Sequence, residues 1–541
     1  MNKIYRISLT LLTALLASCT GKYLDINTEP YVPQDVNADD YALGAAMNNL
    51  ASCVVSPDVN TCQFTECLLG GPMAGYFADS NAGWANTISN YNAKDDWTRV
   101  FMQTDRIIPV LYSNLAIARQ VSEDTGNPVP LAIANIIKVA TMHRVTDTYG
   151  PIPYSKIGEN GALNAPYDSQ QEVYNLFFEE LDTSIAALME NQNRSLTASA
   201  DYIYAGDVRK WIRFANSLKL RLAIRIAYAD PATAKVMAES AIRNEIGVIT
   251  TNADNAKWDY FKTSVNPFYT ATRYNAIGTH DDGTTCLTGG DTHAAADIIC
   301  YMNGYNDPRR EKFFTRSEWM ADDGVTSLGY VGMRHGITIP ALKASGHKYS
   351  GVNVIQSDPI YWMNAAEVAF LRAEGTAIFA FDMGGTAREF YEQGITLSFE
   401  QWGAAGADTY MADDTSKPTT YTDPSGADSY QNTLSDITVK WDEEATAEQK
   451  QERIITQKWI ANWMLGNEAW ADYRRTGYPH LIPASAAGNK SGGVVDSNKG
   501  ARRMPWPIDE YSNNAENMPA ALQALGGTDN MATDVWWAKR N

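Results

Sequence analysis

The chain has 541 residues, 45% of them hydrophobic, which is enough apolar material to bury a large core. It carries 63 acidic against 44 basic residues, a formal charge of −19. A surface of that sign repels nucleic acid and anionic lipid headgroups, and it disfavours a highly anionic ligand relative to a neutral or cationic one.

The N-terminus is the first informative stretch. Lys3 and Arg6 precede a short apolar run, Leu9 to Leu16, and then Ala17-Ser18-Cys19. A basic start, a short apolar segment and small residues before the cut describe a secretory signal over residues 1–18, too short to span a bilayer. The Leu-Ala-Ser-Cys ending is similar to a bacterial lipobox, so Cys19 is the expected lipidated first residue of the mature protein. An ordinary signal peptide with an incidental cysteine is the alternative; the place of Cys19 at the cut favours lipidation. No later stretch has the apolar length of a membrane span, which leaves Cys19 as the expected anchor. Cleavage removes Lys3 and Arg6 and no acid, moving the charge from −19 to −21. The cysteines left after Cys19 are odd in number, so they cannot all pair within the chain. Cys286 and Cys300 can close a loop, whereas Cys53, Cys62 and Cys67 lack the spacing and histidines of a zinc site.

Residues 19–37 are polar and proline-bearing and read as a tether; residues 38–541 read as a single body. A first helix is expected from Asp39 to about Val54. Residues 55–96 read as a loop carrying Phe64, Tyr76, Phe77, Trp84 and Tyr91. From Trp97 helical spacing returns, with Phe101, Ile108, Leu111, Leu115 and Ala118 in step. A second apolar run, 128–145, ends at DTYGPIPYS (147–155), where Gly150 offers a left-handed exit and Pro151 and Pro153 forbid continuation. Ser169-Gln-Gln-Glu172 is a capping box opening a helix with Val173, Phe177, Leu181, Ile185 and Leu188 on one face. The next helix, from Asp207, shows Trp211, Phe214, Ala215, Leu218 and Leu222 on one face and is basic elsewhere, through Arg213, Lys219, Arg221 and Arg225. Pairing with neighbouring acidic helices is the plain reading of that charge; a partner-docking patch is the other. Pro231 starts one more helix.

Residues 250–360 lose helix periodicity and are rich in Gly, Asn, Asp, Thr and aromatics. A stretch this long inside a folded body reads as a functional insertion. Ala365, Ala366, Ala369, Leu371, Ala373 and Ala377 then let the following helix, AREFYEQGITLSFEQWG, approach closely, similar to a degenerate tetratricopeptide unit. Residues 406–443 form a second loop-rich insertion, and Thr446-Ala-Glu-Gln449 caps the next helix. The tryptophans of ARRMPWP (501–507) and TDNMATDVWW (528–537) read as clamps onto the core. The fold class is therefore mostly α, a tetratricopeptide-like helical array with long loop-rich insertions.

Enzyme signatures are missing: there is no G-x-S-x-G, H-E-x-x-H or P-loop. The histidines lack metal-ligand spacing, and His280-Asp281-Asp282 reads as a solvated loop, so neither metal nor cofactor is expected. No pair of carboxylates is singled out for glycoside hydrolysis, which is a question of spatial separation. Aromatic residues on non-helical segments do stand out. A flat ring matches the C–H face of a sugar, and nearby Asn, Asp and Arg groups can take its hydroxyls. The same surface would grip an extended peptide.

Several stretches together, in this order, resemble the SusD/RagB family of outer-membrane nutrient-binding lipoproteins. They are the lipobox, the tether LDINTEP (24–30), DTYGPIPYS, KWIRFANSLKLRLAIRI (210–226), EVAFLRAEG (367–375), TQKWIANWMLGNEAWADYRRTGYP (456–479), RRMPWP (502–507) and TDVWW (533–537). The resemblance implies about four tetratricopeptide-like helix pairs on the extracellular face of the outer membrane. It also implies a lid over a SusC-like TonB-dependent barrel, capturing a glycan and handing it on for import. Ligand residues do not carry over by motif; Tyr76 and Trp84 from the first loop and Tyr274, Trp319 and Tyr330 from the insertion are the expected contacts. Oligopeptide capture is the runner-up within the same architecture. A surface glycoside hydrolase and a purely structural lipoprotein are the readings from other classes.

Overall fold

The computed structural model describes residues 38–102, 106–158, 164–259, 265–276, 278–340 and 348–539. The signal peptide, Cys19 and the tether lie outside them. Helices dominate the described residues, and paired strands are confined to short two-stranded ladders.

The main helices are α1 (Ala38–Ala51), α2 (Ile108–Thr125), α3 (Val129–Tyr149), α4 (Gln170–Glu190), α5 (Val208–Ile226), α6 (Pro231–Arg243), α7 (Ala365–Phe379), α8 (Ala387–Trp402), α9 (Ala447–Ala461) and α10 (Gly466–Thr476). From α1 to α6 each packs on the next in sequence; α7 then packs on α5, α8 and α9. This is the helical array expected from the periodicity. Ser169 with Glu172 and Thr446 with Gln449 form the anticipated capping boxes, and Thr386 with Glu389 adds another at α8. Helices α7 and α8 do pack closely. The tightest point is on α8, where a Cβ added to Gly394 would stand 2.7 Å from the Phe370 ring.

Two local expectations are corrected. Residues 59–73 are not loop but a continuous helical run, Val59–Cys62 followed by a π-helical stretch, Gln63–Gly70, and then Gly71–Met73. Asp58 caps it by accepting from Thr61 N at 2.9 Å. Gly70 and Gly71 look like helix breakers in sequence, but here they give room to α10: a Cβ on Gly466 would lie 2.5 Å from Gly71 N. Helix α2 begins only at Ile108, not near Trp97. Pro109 is tolerated in a first turn and nowhere further inside a helix, which places the start of α2 at Ile108.

The basic residues of α5 are internal partners. Lys219 meets Asp182 at 2.6 Å, and Arg221 forks onto Glu367 with two bonds of 2.7 Å. Arg225, almost completely buried, pairs with Asp147 and with Glu468 (2.5 Å). DTYGPIPYS is the hub that the C-terminal segments close. Gly150, at φ +81°, ends α3. Arg503 donates to Tyr149 O through Nε (3.0 Å) and Nη2 (2.8 Å), and Trp506 Nε1 donates to Pro151 O (3.0 Å). Trp537 Nε1 and Tyr174 Oη both donate to Asp147 Oδ1, at 2.8 and 2.6 Å. The terminal tryptophans are clamps, as their sequence setting indicated.

The strands organise the insertions. β1 (Phe77–Asp79) pairs antiparallel with β5 (Thr292–Ala294), so the segment after the π-helical run joins the middle of the first insertion. β2 (Ile152–Pro153) pairs with β3 (Tyr167–Asp168) just beyond the α3 stop. β4 (Ala256–Trp258) pairs with β6 (Ile360–Met363), tying the insertion's two ends together at its neck. The second insertion leans on the first: Tyr421 Oη donates to Gly332 O at 2.9 Å and Tyr349 Oη to Asp423 Oδ1 at 2.7 Å. Both Cys286 and Cys300 are free thiols; Cys300 is buried with its Sγ 3.8 Å from Thr420 O, and the suggested loop closure between them is not formed.

Candidate ligand-binding face

The β1–β5 ladder brings the first aromatic segment and the insertion to one place. Beyond β1, Ser80 N donates to Asp291 O (2.9 Å) and Ser80 Oγ to Gly290 O (2.5 Å). The Asp291 carboxylate gathers amide donors from three segments: Gln63 Nε2 (3.2 Å), Asn81 Nδ2 (3.0 Å) and Asn275 Nδ2 (3.1 Å). Burial pushes this carboxyl up, and the three amides oppose the shift by bonding its charged form. The arrangement fixes the 80–84 loop beside the 273–276 turn.

Of the five expected contacts, four keep an accessible surface. Trp84 is half-buried and set edge-on to Trp97, centroids 5.4 Å apart, with Trp97 in turn edge-on to Phe64. Tyr274 is half-buried, and its carbonyl accepts from Asp291 N at 2.8 Å. Trp319 is half-buried over Tyr349 (5.8 Å) and rests on a small separate apolar cluster that includes Ala78 of β1. Its indole Nε1 has no hydrogen-bond partner among the described residues. Tyr330 lies at the margin, with the guanidinium groups of Arg310 and Arg316 at 5.0 and 5.3 Å from its ring centroid. Tyr76 is different. It is fully buried, stacks on Trp459 at 5.6 Å and donates its hydroxyl to Trp459 O, so it offers no surface to a ligand and belongs to the core. Tyr76 stands just before β1, all of which is buried through the non-local pairing of Phe77 with Ala294.

The polar cluster of Asn81 and Asn275 over the buried Asp291 carboxylate was not singled out by sequence reasoning. The run Ser80-Asn81-Ala82-Gly83-Trp84 carried a hint of it, a polar turn beside a ring. Asp291 carried none, because its role is set by the ladder.

A second concavity lies inside the molecule. A cavity of about 370 Å³ separates α3, α5 and α10 from residues 353–362 of the insertion. Trp362, Trp402, Trp463 and Phe268 supply apolar wall, and Arg221 and Glu468 reach its edge. The indole Nε1 atoms of Trp362 and Trp402 have no hydrogen-bond partner among the described residues. Its size is that of a small-molecule pocket, and its charged wall is a network of paired groups. Burial alone would raise the Glu468 carboxyl, but Arg225, Arg221 and Lys458 together hold it well below the usual carboxylate range. Burial, reinforced by Arg221, lowers nearby His143 to about 3, so this imidazole is neutral at physiological pH.

A family model described as "SusD-like: Susd and RagB outer membrane lipoprotein" matches residues 25–538. The chain belongs to the SusD-like family. A solved SusD homologue from Bacteroides uniformis is 64% identical, with 92% of this chain and 99% of that one covered at a TM-score of 0.88. A SusD homologue from Bacteroides thetaiotaomicron is 39% identical, covering 92% and 99% at a TM-score of 0.80. A chitin-binding SusD homologue from Flavobacterium johnsoniae is 37% identical, covering 93% and 99% at a TM-score of 0.81. A search of curated proteins returned no match. SusD-like membership makes this an outer-membrane lipoprotein family member, and no helix among the described residues is long and apolar enough to cross a membrane.

Proposed function

We propose that this SusD-like protein captures a neutral glycan on its β1–β5 face and delivers it, as a lid, to a SusC-like TonB-dependent barrel. Anchoring through Cys19 would hold the body on the extracellular side of the outer membrane. The observation that carries the reading is that two distant segments joined by the β1–β5 ladder each carry half-exposed rings, Trp84 on one and Tyr274 and Trp319 on the other, with the Asn81 and Asn275 amides gathered on Asp291 between the segments. Rings supply the stacking surface and amides the hydroxyl partners. An open face suits a polymer. The chitin-binding relative at 37% identity supports a glycan over a peptide. Capture and release would proceed by closure of the lid around bound ligand, with binding favouring the closed state.

Isothermal titration with a panel of oligosaccharides, chitooligosaccharides among them, and with oligopeptides tests the proposal. Trp84→Ala and Trp319→Ala are each expected to weaken the bound glycan at least about tenfold, the loss of about 1.4 kcal/mol. Trp402→Ala, in the interior cavity, is expected to leave affinity unchanged. Peptide binding without glycan binding, released sugar products, or an effect confined to the Trp402 variant would overturn the reading.

A further inference from the structure

The insertion contains a cluster of metal-ligating groups that the glycan reading does not use. Residues 278–286 form a small hairpin, in which His280 N donates to Thr284 O (2.9 Å) and Cys286 N to Gly278 O (3.1 Å). The hairpin delivers His280 and Cys286 to Glu318. One imidazole nitrogen, the Cys286 Sγ and a Glu318 carboxylate oxygen all lie within 4.8 Å of one another. Glu318 is held in place: its Oε1 accepts from Leu287 N (2.9 Å), Thr288 N (3.0 Å) and Thr288 Oγ1 (2.7 Å). That leaves Oε2 facing His280 Nε2 at 2.9 Å. His280 is only 3% exposed, yet its Nδ1 has no hydrogen-bond partner among the described residues, which is costly for a buried polar atom. Cys286 and Glu318 are half-buried, which leaves a way in from solvent.

We propose that His280, Cys286 and Glu318 bind a thiophilic divalent transition-metal ion of the zinc type, with a water completing four-coordination. Zinc takes thiolate sulfur at about 2.3 Å and imidazole nitrogen or carboxylate oxygen at about 2.0–2.2 Å, so tetrahedral donors stand roughly 3.3–3.6 Å apart. The three groups already lie within 4.8 Å, so modest rotamer adjustment closes them on an ion. Calcium and magnesium are poorly matched, because they require six or more oxygens and this set offers one carboxylate. On binding, the Cys286 thiol gives its proton to solvent and the thiolate becomes the ligand. The amides on Glu318 Oε1 serve as the outer contacts that orient a metal-binding carboxylate. Asp282, one of the two acids that follow His280 in the sequence, takes no part: it bonds Lys348 Nζ at 2.5 Å and Thr284 Oγ1 at 2.6 Å. The ion would cross-link the 278–286 hairpin to residue 318, within the same insertion that carries Tyr274 and Trp319.

The mature protein, stripped with chelator under reducing conditions, would be titrated with Co²⁺ alone and then with Zn²⁺. One Co²⁺ per chain with a sulfur-to-cobalt charge-transfer band is expected, displaced by one equivalent of Zn²⁺. Cys286→Ala should abolish the band, Glu318→Gln should weaken Co²⁺ at least about tenfold, and Asp282→Asn should change neither. Circular dichroism checks that each variant folds; if Cys286→Ala does not, the Glu318→Gln and Asp282→Asn arms decide. Absence of a thiolate band in the native protein, unchanged Co²⁺ binding in Glu318→Gln, or its loss in Asp282→Asn overturns the proposal.

Discussion

Replacing Glu468 by Ala tests whether the buried charges in the middle of the array form an integrated network. The carboxylate is 7% exposed on α10 and faces three cations: Arg225 at 2.5 Å, Lys458 at 3.4 Å and Arg221 at 3.5 Å. Truncation leaves those cations to share Asp147, Glu367 and Asp472 while keeping their own desolvation cost. Removing one partner of a buried ion pair costs about 3–5 kcal/mol, a large share of the roughly 5–15 kcal/mol that holds a typical protein folded. Urea unfolding of the unlipidated mature chain at pH 7, followed by circular dichroism, reads the difference. Lys417 and Asp436 make a control pair at a similar separation, 2.9 Å, with side chains 47% and 81% exposed. Solvent screens that pair, so Asp436→Asn should give no measurable change. Because folding lowers the Glu468 pKa, its contribution is present above the unfolded value and is lost as pH falls through the folded one. The wild-type advantage over Glu468→Ala should therefore shrink in acid. A loss below about 1 kcal/mol at pH 7, or one that matches the Asp436 control, would refute the reasoning.

Asp79 carries the opposite sign. Burial raises its carboxyl from 3.8 to about 7 despite the hydrogen bond from Ser89, so the folded state holds this proton more tightly than the unfolded chain. The stabilisation is complete below the unfolded value and is lost as pH rises toward 7, a change on the order of 4 kcal/mol. Asp79→Asn should thus stabilise the protein at pH 8 and do little at pH 4, in the same unfolding assay; equal effects at both would show that ionisation is not the cause. Gly466→Ala places a methyl against Gly70 and Gly71 backbone, where no side chain can yield. Overpacking of this kind costs about 1–3 kcal/mol, and a melting temperature equal to wild type would show that α10 can shift freely.

Much of the fold was readable from local signals. Capping boxes at Ser169 and Thr446 and the proline stop after Tyr149 are short-range chemistry, and they set helix ends where the sequence places them. The basic face of α5 was readable as internal pairing, although the identity of the partners, Glu367 and Glu468, depends on helices far along the chain. What was hidden is non-local. The 59–73 run is rich in glycine and polar residues that discourage helix locally, and its packing against α10 overrides that preference. The candidate face was half legible: Trp84, Tyr274 and Trp319 could be picked as rings on loops, but Tyr76 has the same local setting and is core. Only the β1–β5 register and the stack on Trp459 separate them. Likewise the sequence offers Cys300 as a partner for Cys286, whereas its neighbours in the fold, His280 and Glu318, come from the same hairpin and from a more distant segment.

The clamp on Asp147 has a bearing on the order in which the fold closes. Trp537 reaches back across 390 positions to bond a carboxylate near the first third of the chain, and Arg503 and Trp506 do the same for Tyr149 and Pro151. Those bonds require residues 503–537 to be present together with residues 147–151. Contacts of such long sequence separation are slow to close, so this hub is expected to be among the last parts of the array to lock as the protein folds.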